Sequence, residues 1–260
     1  MTAEVFSSFE ADRILLELRR RRPLVHCLTN DVVQEMTANV LLAAGASPAM
    51  TVAPEETRGF AKIADALLVN LGTPTRDRIE AMQAAVAGAA EGNTPWVLDP
   101  VAAGVIPWRD GVIREFLRRK PVIVRGNASE ILALAGAGTG GQGVDSTDAS
   151  SAALEPARRL ALQTGVAVCV TGEVDYATDG RRTLAVPGGS AMATLVVGTG
   201  CSLSALVAAF AAVHPDPLEA AAAACALAKR AAEYAARQAQ APGRFHSAYI
   251  DGLYLAPNFE

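Results

Sequence analysis

The chain has 260 residues, of which 51% are hydrophobic, 5% aromatic and 19% charged, and its formal net charge is −4. This length is sufficient to bury a core, and the apolar fraction argues against disorder along the whole chain. The slight excess of acidic residues argues against a broad nucleic-acid-binding or anionic-lipid-binding surface. We therefore expect a folded protein that does not bind nucleic acid.

Short apolar segments alternate with longer segments of helical periodicity through the first two thirds of the chain. The predicted strands cover residues 24–28, 66–71, 96–98, 122–124 and 166–170. The predicted helices that alternate with them cover residues 9–18, 32–44, 77–90 and 151–163. Continuous apolar strands separated by helices indicate a mostly parallel sheet covered on both faces, which is a layered α/β fold.

The last third of the chain is predicted to begin with a hairpin and to end in helices. The hairpin segments are residues 168–171, 176–178 and 183–186, with a turn at Asp179 and Gly180. The helices cover residues 201–213 and 217–238, followed by a further short helix. The glycine-rich segment 136–143 follows a predicted helix rather than a strand, which favours a surface loop over a dinucleotide-binding turn. We expect one domain over residues 1–260.

Neither a membrane span nor a secretion signal is predicted. The longest uncharged stretch, residues 183–213, is broken by proline and glycines into pieces shorter than the roughly twenty apolar residues that a spanning helix needs. The first ten residues contain acidic side chains and no apolar core, unlike a signal peptide. The cysteines form no C-x-x-C pair and the histidines have no metal-ligand spacing, so we expect reduced thiols in the cytoplasm and no zinc site.

The most informative segment is residues 196–202, which reads Val-Val-Gly-Thr-Gly-Cys-Ser and precedes an alanine-rich helix. Glycine lets the backbone approach a ligand closely, and the first turn of a helix leaves N–H groups that can bind an anion. Gly198, Thr199 and Gly200 are therefore candidates for stabilising the charge on a phosphoryl group in transfer. The alternative is a helix start whose small residues allow close packing.

Cys201 lies in the same turn. The helix dipole favours a thiolate at this position, so we expect a lowered pKa, which would suit a functional role. The alternative is a small structural thiol, which is the commoner role of cysteine.

Polar side chains follow several predicted strands. Asp99, Arg125 and Thr171 end three successive strands, and ligands bind at the carboxyl ends of strands in open α/β sheets. Arg125 is a candidate for a phosphate contact, whereas Asp99 could instead be a turn or helix-capping residue. Asn30 and Met50 occupy a second set of strand ends, where they suit a polar ring atom and a heteroaromatic ligand, although methionine is more often a core residue.

Glu130 has two interpretations. Asn127 and Glu130 have the spacing of a capping box, in which each side chain accepts a hydrogen bond from the other residue's backbone N–H, and the sequence alone favours this interpretation. The alternative places Glu130 near a magnesium ion bound to phosphate oxygens.

The combination of these segments resembles the hydroxyethylthiazole kinases of thiamine salvage, which are members of the ribokinase-like superfamily. The matching segments are residues 25–30, 37–50, 70–73, 98–101, 125–131, 170–176 and 198–201. They occur in the family's order, whereas the first 20 residues and the helical tail are less diagnostic.

The resemblance implies a layered α/β/α kinase that uses Mg²⁺ and transfers the γ-phosphoryl group of ATP to the primary hydroxyl of 5-(2-hydroxyethyl)-4-methylthiazole. The site residues that it implies are Met50, Gly198 and Asn30 for the thiazole alcohol, Arg125 and Thr171 for ATP, Asp99 and Glu130 for magnesium, and Thr199, Gly200 and Cys201 for the catalytic anion hole. Sugar kinases of the superfamily carry an aspartate base at the position of Cys201. The resemblance also implies a homotrimer with active sites at subunit interfaces.

Two residues depart from the family pattern. Asp31 stands where a neutral or aromatic residue is expected, and Ala102 stands where the family tends to have glycine. The alternatives are another ribokinase-like small-molecule kinase, an ATP-dependent NAD(P)H-hydrate dehydratase and a catalytically silent binding protein. Residues 29–30 and 46–50 favour the thiazole kinase, and the presence of the predicted magnesium and anion-hole residues argues against a silent protein.

Overall fold

The computed structural model describes residues 3–136 and 150–257. Its strands are β1 (Glu4–Val5), β2 (Leu24–Leu28), β3 (Ser47–Ala49), β4 (Ala66–Asn70), β5 (Trp96–Asp99), β6 (Ile123–Asn127), β7 (Ala167–Thr171), β8 (Asp175–Thr178) and β9 (Thr183–Val186). Its helices are α1 (Ser8–Arg21), α2 (Gln34–Ala44), α3 (Pro54–Ile63), α4 (Arg76–Gly92), α5 (Pro107–Arg118), α6 (Ala128–Leu134), α7 (Leu154–Thr164), α8 (Thr199–Ala211), α9 (Pro217–Gln238) and α10 (Pro242–Leu255). Short 3₁₀ helices cover Asp31–Val33 and Ala191–Leu195.

The described strands form one sheet in the order β1-β9-β8-β7-β6-β5-β4-β2-β3. Among them only β8 runs antiparallel to its neighbours. The carboxyl ends of the parallel strands therefore open on one edge of the sheet. A polar residue at the end of each strand is brought to that edge by the chain direction alone.

The two faces of the sheet bury different residues because side chains alternate along each strand. In β4, Ala66 and Leu68 pack into a core that includes residues of α1, α2, α8, α9 and α10. Leu67 and Val69 pack into a second core with residues of α3, α4, α5, α6 and α7. The predicted layered α/β/α arrangement is confirmed.

Small residues bring the helices of the first core close together. A Cβ atom at Gly252 in α10 would lie 3.0 Å from backbone atoms of Ala231 in α9, so only glycine allows this crossing distance. Alanine also fills the buried faces of α8 and α9. Among the described helices, none combines the length and the hydropathy that crossing a bilayer requires.

The ends of the chain meet distant elements. β1 pairs with β9, and Glu4 lies opposite Leu184. Arg19 of α1 donates hydrogen bonds of 2.9 and 2.8 Å to the carbonyls of Leu253 and Tyr254 in α10. The first elements therefore pack against the last ones.

The predicted hairpin is confirmed by the antiparallel pairing of β8 with β9. Asp179 Oδ1 accepts hydrogen bonds from the backbone N–H groups of Arg181 and Arg182, which fixes the turn. Of the predicted glycine-rich loop, residues 137–143 lie outside the described residues. Gly136 follows α6 in the left-handed region, with φ of +69°.

Candidate active site

Arg125 joins three elements at the carboxyl edge of the sheet. The side chain is 8% exposed. Its Nη1 atom donates a 2.9 Å hydrogen bond to the carbonyl of Gly200 in the first turn of α8, and Nη2 donates a 2.5 Å bond to Thr171 Oγ1 at the end of β7. The residues that the sequence predicts for the nucleotide and for the anion hole are therefore in direct contact.

A second set of hydrogen bonds connects Cys201 to Asp99. Asn30 Nδ2 lies 3.4 Å from Cys201 Sγ and donates a 3.1 Å hydrogen bond to Asn70 Oδ1. Asn70 Nδ2 in turn donates a 2.7 Å hydrogen bond to Asp99 Oδ2. This polar chain runs beneath the site from the predicted substrate side to the predicted magnesium side.

Asn70 is part of this hydrogen-bond network, and Ser204 joins it at Asp99. The sequence analysis assigns no role to either residue. Ser204 in α8 donates a 2.7 Å hydrogen bond to Asp99 Oδ2, and both residues are buried. Asn70 could have been found, because an amide inside the apolar run 66–71 needs a buried partner. Ser204 offers no such signal, since it is one of several small residues in α8.

Asp99 is the last residue of β5 and accepts hydrogen bonds from side chains rather than capping a helix. The pKa of its carboxyl is raised to about 7, chiefly by burial and also by the charge of Glu130, whereas Arg125, Ser204 and Asn70 oppose this shift. The carboxyl is therefore poised between its charged and neutral forms near neutral pH. A cation at this edge would favour the charged form.

The backbone from Gly198 to Cys201 forms the start of α8. Gly198 precedes the helix with φ of +94°, and a Cβ atom there would lie 3.1 Å from both Met36 Cγ and Val33 Cγ1. Thr199 Oγ1 donates a 2.8 Å hydrogen bond to the carbonyl of Ala193, so its hydroxyl fixes the preceding 3₁₀ helix. The first N–H groups of α8 have no carbonyl one turn earlier in the helix and can bind an anion.

The expectation of a lowered pKa at Cys201 is wrong. The pKa of the thiol is raised to about 11, chiefly by burial and also by the charge of Asp99, whereas hydrogen bonds with Asn70 and Asn30 and the charge of Arg125 oppose this shift. The helix dipole argument fails because it ignores the loss of water around the sulfur. Cys201 is therefore a neutral thiol at pH 7.

Alkylation of Cys201 by iodoacetamide should accelerate as the pH rises from 7 toward 11. The thiolate is the attacking species, and its fraction grows with pH up to the raised pKa. Mass spectrometry of the labelled peptide measures the rate, with Cys201→Ala as the control for labelling of other cysteines. Fast labelling at pH 7 that does not change with pH would contradict the raised pKa.

Glu130 fills the capping role that the sequence favours. Asn127 Oδ1 accepts a 2.9 Å hydrogen bond from Glu130 N, and Glu130 Oε2 accepts a 2.8 Å bond from Asn127 N. Its other oxygen, Oε1, accepts a 2.9 Å hydrogen bond from Ala102 N. The capping box is confirmed, and the carboxylate retains lone pairs for a further ligand.

The donor set at this edge fits a magnesium ion. Mg²⁺ in phosphoryl-transfer sites is held by one or two carboxylates together with phosphate oxygens and water. Asp99 and Glu130 supply two carboxylates, both less than 10% exposed.

Met50 and Asp31 follow the neighbouring strands β3 and β2. Met50 follows β3, is half-buried and packs against the core that contains α2. The Asp31 carboxylate is 60% exposed and forms an ion pair with Arg78, which also donates to the carbonyl of Thr29. Arg78 therefore balances the charge that departs from the family pattern.

Ala102→Gly should raise the free energy of unfolding by about 1 kcal/mol. Ala102 has φ of +61°, a left-handed conformation that costs an L-residue roughly 1–2 kcal/mol, partly offset by the greater entropy of glycine in the unfolded chain. Urea unfolding measures the change. Ala103→Gly is the control: its φ is not positive, so the same change there should lower stability. A lower stability in both variants would contradict the prediction.

Comparison with known proteins relates the chain to one family. The family model described as the hydroxyethylthiazole kinase family matches residues 15–258. A protein named hydroxyethylthiazole kinase from Citrobacter koseri is 54% identical over 254 residues, which cover 98% of this chain and 97% of the relative. A solved structure of a hydroxyethylthiazole kinase from Pyrococcus horikoshii OT3 matches with a TM-score of 0.88 and 41% identity, covering 95% of this chain and 94% of the other.

A more distant structure shares the fold alone. The ADP/ATP-dependent NAD(P)H-hydrate dehydratase from Bacillus subtilis, co-crystallised with ATP and Mg²⁺, matches with a TM-score of 0.62 at 14% identity. The two chains cover 97% and 98% of each other. The layered α/β/α architecture is therefore common to proteins of different chemistry, and the site residues must distinguish them.

Proposed function

The chain belongs to the hydroxyethylthiazole kinase family and has the ribokinase-like layered fold, and on this premise we propose its reaction and its site residues. The reaction is transfer of the γ-phosphoryl group of ATP to the primary hydroxyl of 5-(2-hydroxyethyl)-4-methylthiazole, in thiamine salvage. The observation that carries the proposal is the contact of Arg125 with both α8 and Thr171. Arg125 Nε is buried and has no hydrogen-bond partner among the described residues, so this N–H group can donate to a phosphate.

The proposed roles follow the position of each residue along the sheet edge. Arg125 and Thr171 bind ATP at the β6 and β7 ends. Asn30 and Met50, after the β2 and β3 ends, together with Gly198 before α8, bind and orient the thiazole alcohol. Orienting the hydroxyl toward the γ-phosphorus removes the entropic cost of bringing the two reactants together.

The N–H groups of Thr199, Gly200 and Cys201 face the phosphoryl group in this proposal. They act as fixed donors to oxygens on which charge develops, and they need no reorganisation during the reaction. Asp99 and Glu130 hold Mg²⁺, which supplies charge neutralisation on the phosphates when it is bound. Cys201 keeps its proton near neutral pH, so it does not act as a base. Its small side chain lines the site beside Asn30.

Cys201→Ala should lower kcat by less than about a hundredfold, because a general base typically contributes more than this and the neutral thiol is not one. In a loose transition state the hydroxyl loses its proton late, so a base contributes little to the early part of the step. Steady-state kinetics on a variant with an unchanged circular dichroism spectrum measures the effect. Turnover no faster than background would show that the thiol is essential and would contradict this role.

An ATP-consumption assay with the thiazole alcohol, with and without Mg²⁺, tests the proposed reaction. The product phosphate ester should form only with the thiazole alcohol, ATP and Mg²⁺ together. A panel of sugars and a pyrimidine alcohol tests the other kinase activities, and hydrated NAD(P)H tests the dehydratase. Faster turnover of any of these, or thiazole binding without phosphate transfer, would replace the proposal with the corresponding alternative.

We also propose that residues 1–260 act as one domain in a cytoplasmic homotrimer with sites at the subunit interfaces. An exposed apolar surface beside the proposed site supports this assembly. It contains Val32, Leu195 and Val197, which are 66%, 66% and 68% exposed. Val197 precedes Gly198, and Val32 precedes Val33, which lies next to Gly198. A partner subunit would remove this apolar surface from water. The four free cysteines support a reducing compartment. Light scattering after size exclusion should give three times the mass of one chain.

A further inference from the structure

A buried lysine ties two loops together at the nucleotide end of the sheet. Lys229 in α9 is 8% exposed. Its Nζ atom donates hydrogen bonds to three backbone carbonyls, at 3.1 Å to Gly172, 2.8 Å to Glu173 and 3.0 Å to Gly188. An ammonium has three N–H groups, so each one is used on a loop carbonyl.

Asp175 completes this arrangement. Its Oδ1 atom lies 3.4 Å from Lys229 Nζ and accepts a 2.9 Å hydrogen bond from Gly172 N. Burial raises the pKa of the Asp175 carboxyl, and the charge of Lys229 opposes this shift. The pair therefore holds both the N–H and the C=O group of Gly172.

The second loop has another contact with α9. Glu233, one turn after Lys229, accepts a 2.9 Å hydrogen bond from Gly189 N. Gly188 and Gly189 have φ of +102° and +90°, and a Cβ atom at Gly188 would lie 2.3 Å from Glu233 Oε1. The backbone of this loop is therefore shaped to fit the charged side chains of α9.

The two loops follow β7 and β9, whose carboxyl ends open on the same edge as the proposed active site. Gly172 directly follows Thr171, which contacts Arg125. A buried ammonium is costly unless it is fully paired, and apolar side chains could pack α9 against β7 without that cost. Lys229 instead fixes the position of polar backbone groups beside the phosphate-binding residues.

We propose that Lys229, together with Asp175, is a positioning residue that holds the loops at residues 172–174 and 187–190 as one wall of the nucleotide site. This inference rests on the proposed function, because it takes the β7 end of the edge as the place where ATP binds. Lys229 acts through the backbone and does not touch the reacting atoms. Its loss should therefore weaken nucleotide binding without changing the thiazole end.

The test compares wild type with Lys229→Met and with the double variant Lys229→Met/Asp175→Asn. The double variant removes both charges, so it leaves no unpaired carboxylate that could unfold the chain. We expect KM for ATP and Kd for ADP to rise about ten- to hundredfold, as for other displaced binding groups, and KM for the thiazole alcohol to stay within about twofold. Amide hydrogen exchange should accelerate in residues 172–174 and 187–190.

Arg230→Met is the matched control. Arg230 is the next residue of α9 and forms a 2.6 Å ion pair with Asp12 of α1, away from the two loops. It should lose stability without a change in KM for ATP. Lys229→Arg should recover part of the ADP affinity, because it keeps the charge but cannot converge three donors from one atom.

The inference is overturned if the folded double variant keeps the wild-type KM for ATP and Kd for ADP. It is also overturned if both substrates' KM values rise together, or if Arg230→Met raises KM for ATP as much. Failure of the proposed function is a separate result, in which wild type does not phosphorylate the thiazole alcohol. ADP affinity and hydrogen exchange then still decide the role of Lys229.

Discussion

Gly198→Val should lower kcat/KM for the thiazole alcohol by about a hundredfold or more, which is the usual cost of losing a donor that stabilises transition-state charge. Gly198 has φ of +94°, which a β-branched residue adopts only with strain. Its first side-chain atom would already lie 3.1 Å from Met36 and Val33. The backbone must move, and the first N–H groups of α8 move with it.

Gly165→Val is the matched control for this change. Gly165 follows α7 with φ of +71°, and a Cβ atom there would have no neighbouring atom within 4 Å. It therefore carries the conformational strain without the crowding and lies outside the proposed site. Steady-state kinetics on both variants separates the two effects, and wild-type kcat/KM in Gly198→Val would remove Gly198 from the site.

Arg125→Met should lower kcat/KM for ATP by about a thousandfold, the lower end of the range for an arginine that stabilises a transferring phosphoryl group. Methionine fills a similar volume but removes the donors to Gly200 and Thr171. It also removes the positive charge that lowers the pKa of Asp99. Both the nucleotide contact and the placement of α8 should therefore be lost.

Arg125→Lys keeps the charge but cannot reach Gly200 and Thr171 together, so we expect activity between that of wild type and Arg125→Met. Arg119→Met is the control, since Arg119 precedes β6 and forms an exposed ion pair with Glu115. Kinetics at saturating thiazole alcohol and circular dichroism decide the outcome. An Arg125→Met enzyme with wild-type KM for ATP and wild-type kcat would place the nucleotide elsewhere.

The buried strands were predictable because their apolar runs are bounded by turns. β2 and α9 have the predicted bounds, and β4, β5, β6 and β7 differ from theirs by one to three residues at an end. Helix α3 was not predicted, because it is short (Pro54–Ile63) and its buried residues, Thr57 and Ala61, are small and not strongly apolar. Its packing against α4 depends on tertiary contacts that a local pattern cannot show.

The site was predictable where chain direction alone brings residues together. Asp99 and Thr171 end their strands, and Arg125 lies two residues before the end of β6 rather than at the predicted strand end. These strands are parallel neighbours, so the shared edge follows from their order. The neutral thiol of Cys201 was not predictable, since it depends on burial and on Asp99, which is distant in sequence. Lys229 was missed for a similar reason, because its loop partners lie about 40 to 60 residues earlier in the chain.

The pairing of β1 with β9 also determines when the fold can be completed during synthesis. Glu4 cannot pair until Leu184 has left the ribosome, and Arg19 must wait for Leu253 and Tyr254. At about 5–20 residues per second, this delay is on the order of ten seconds. Strand β1 is thus made before the other described strands but can pair only after them, at the β9 edge of the sheet.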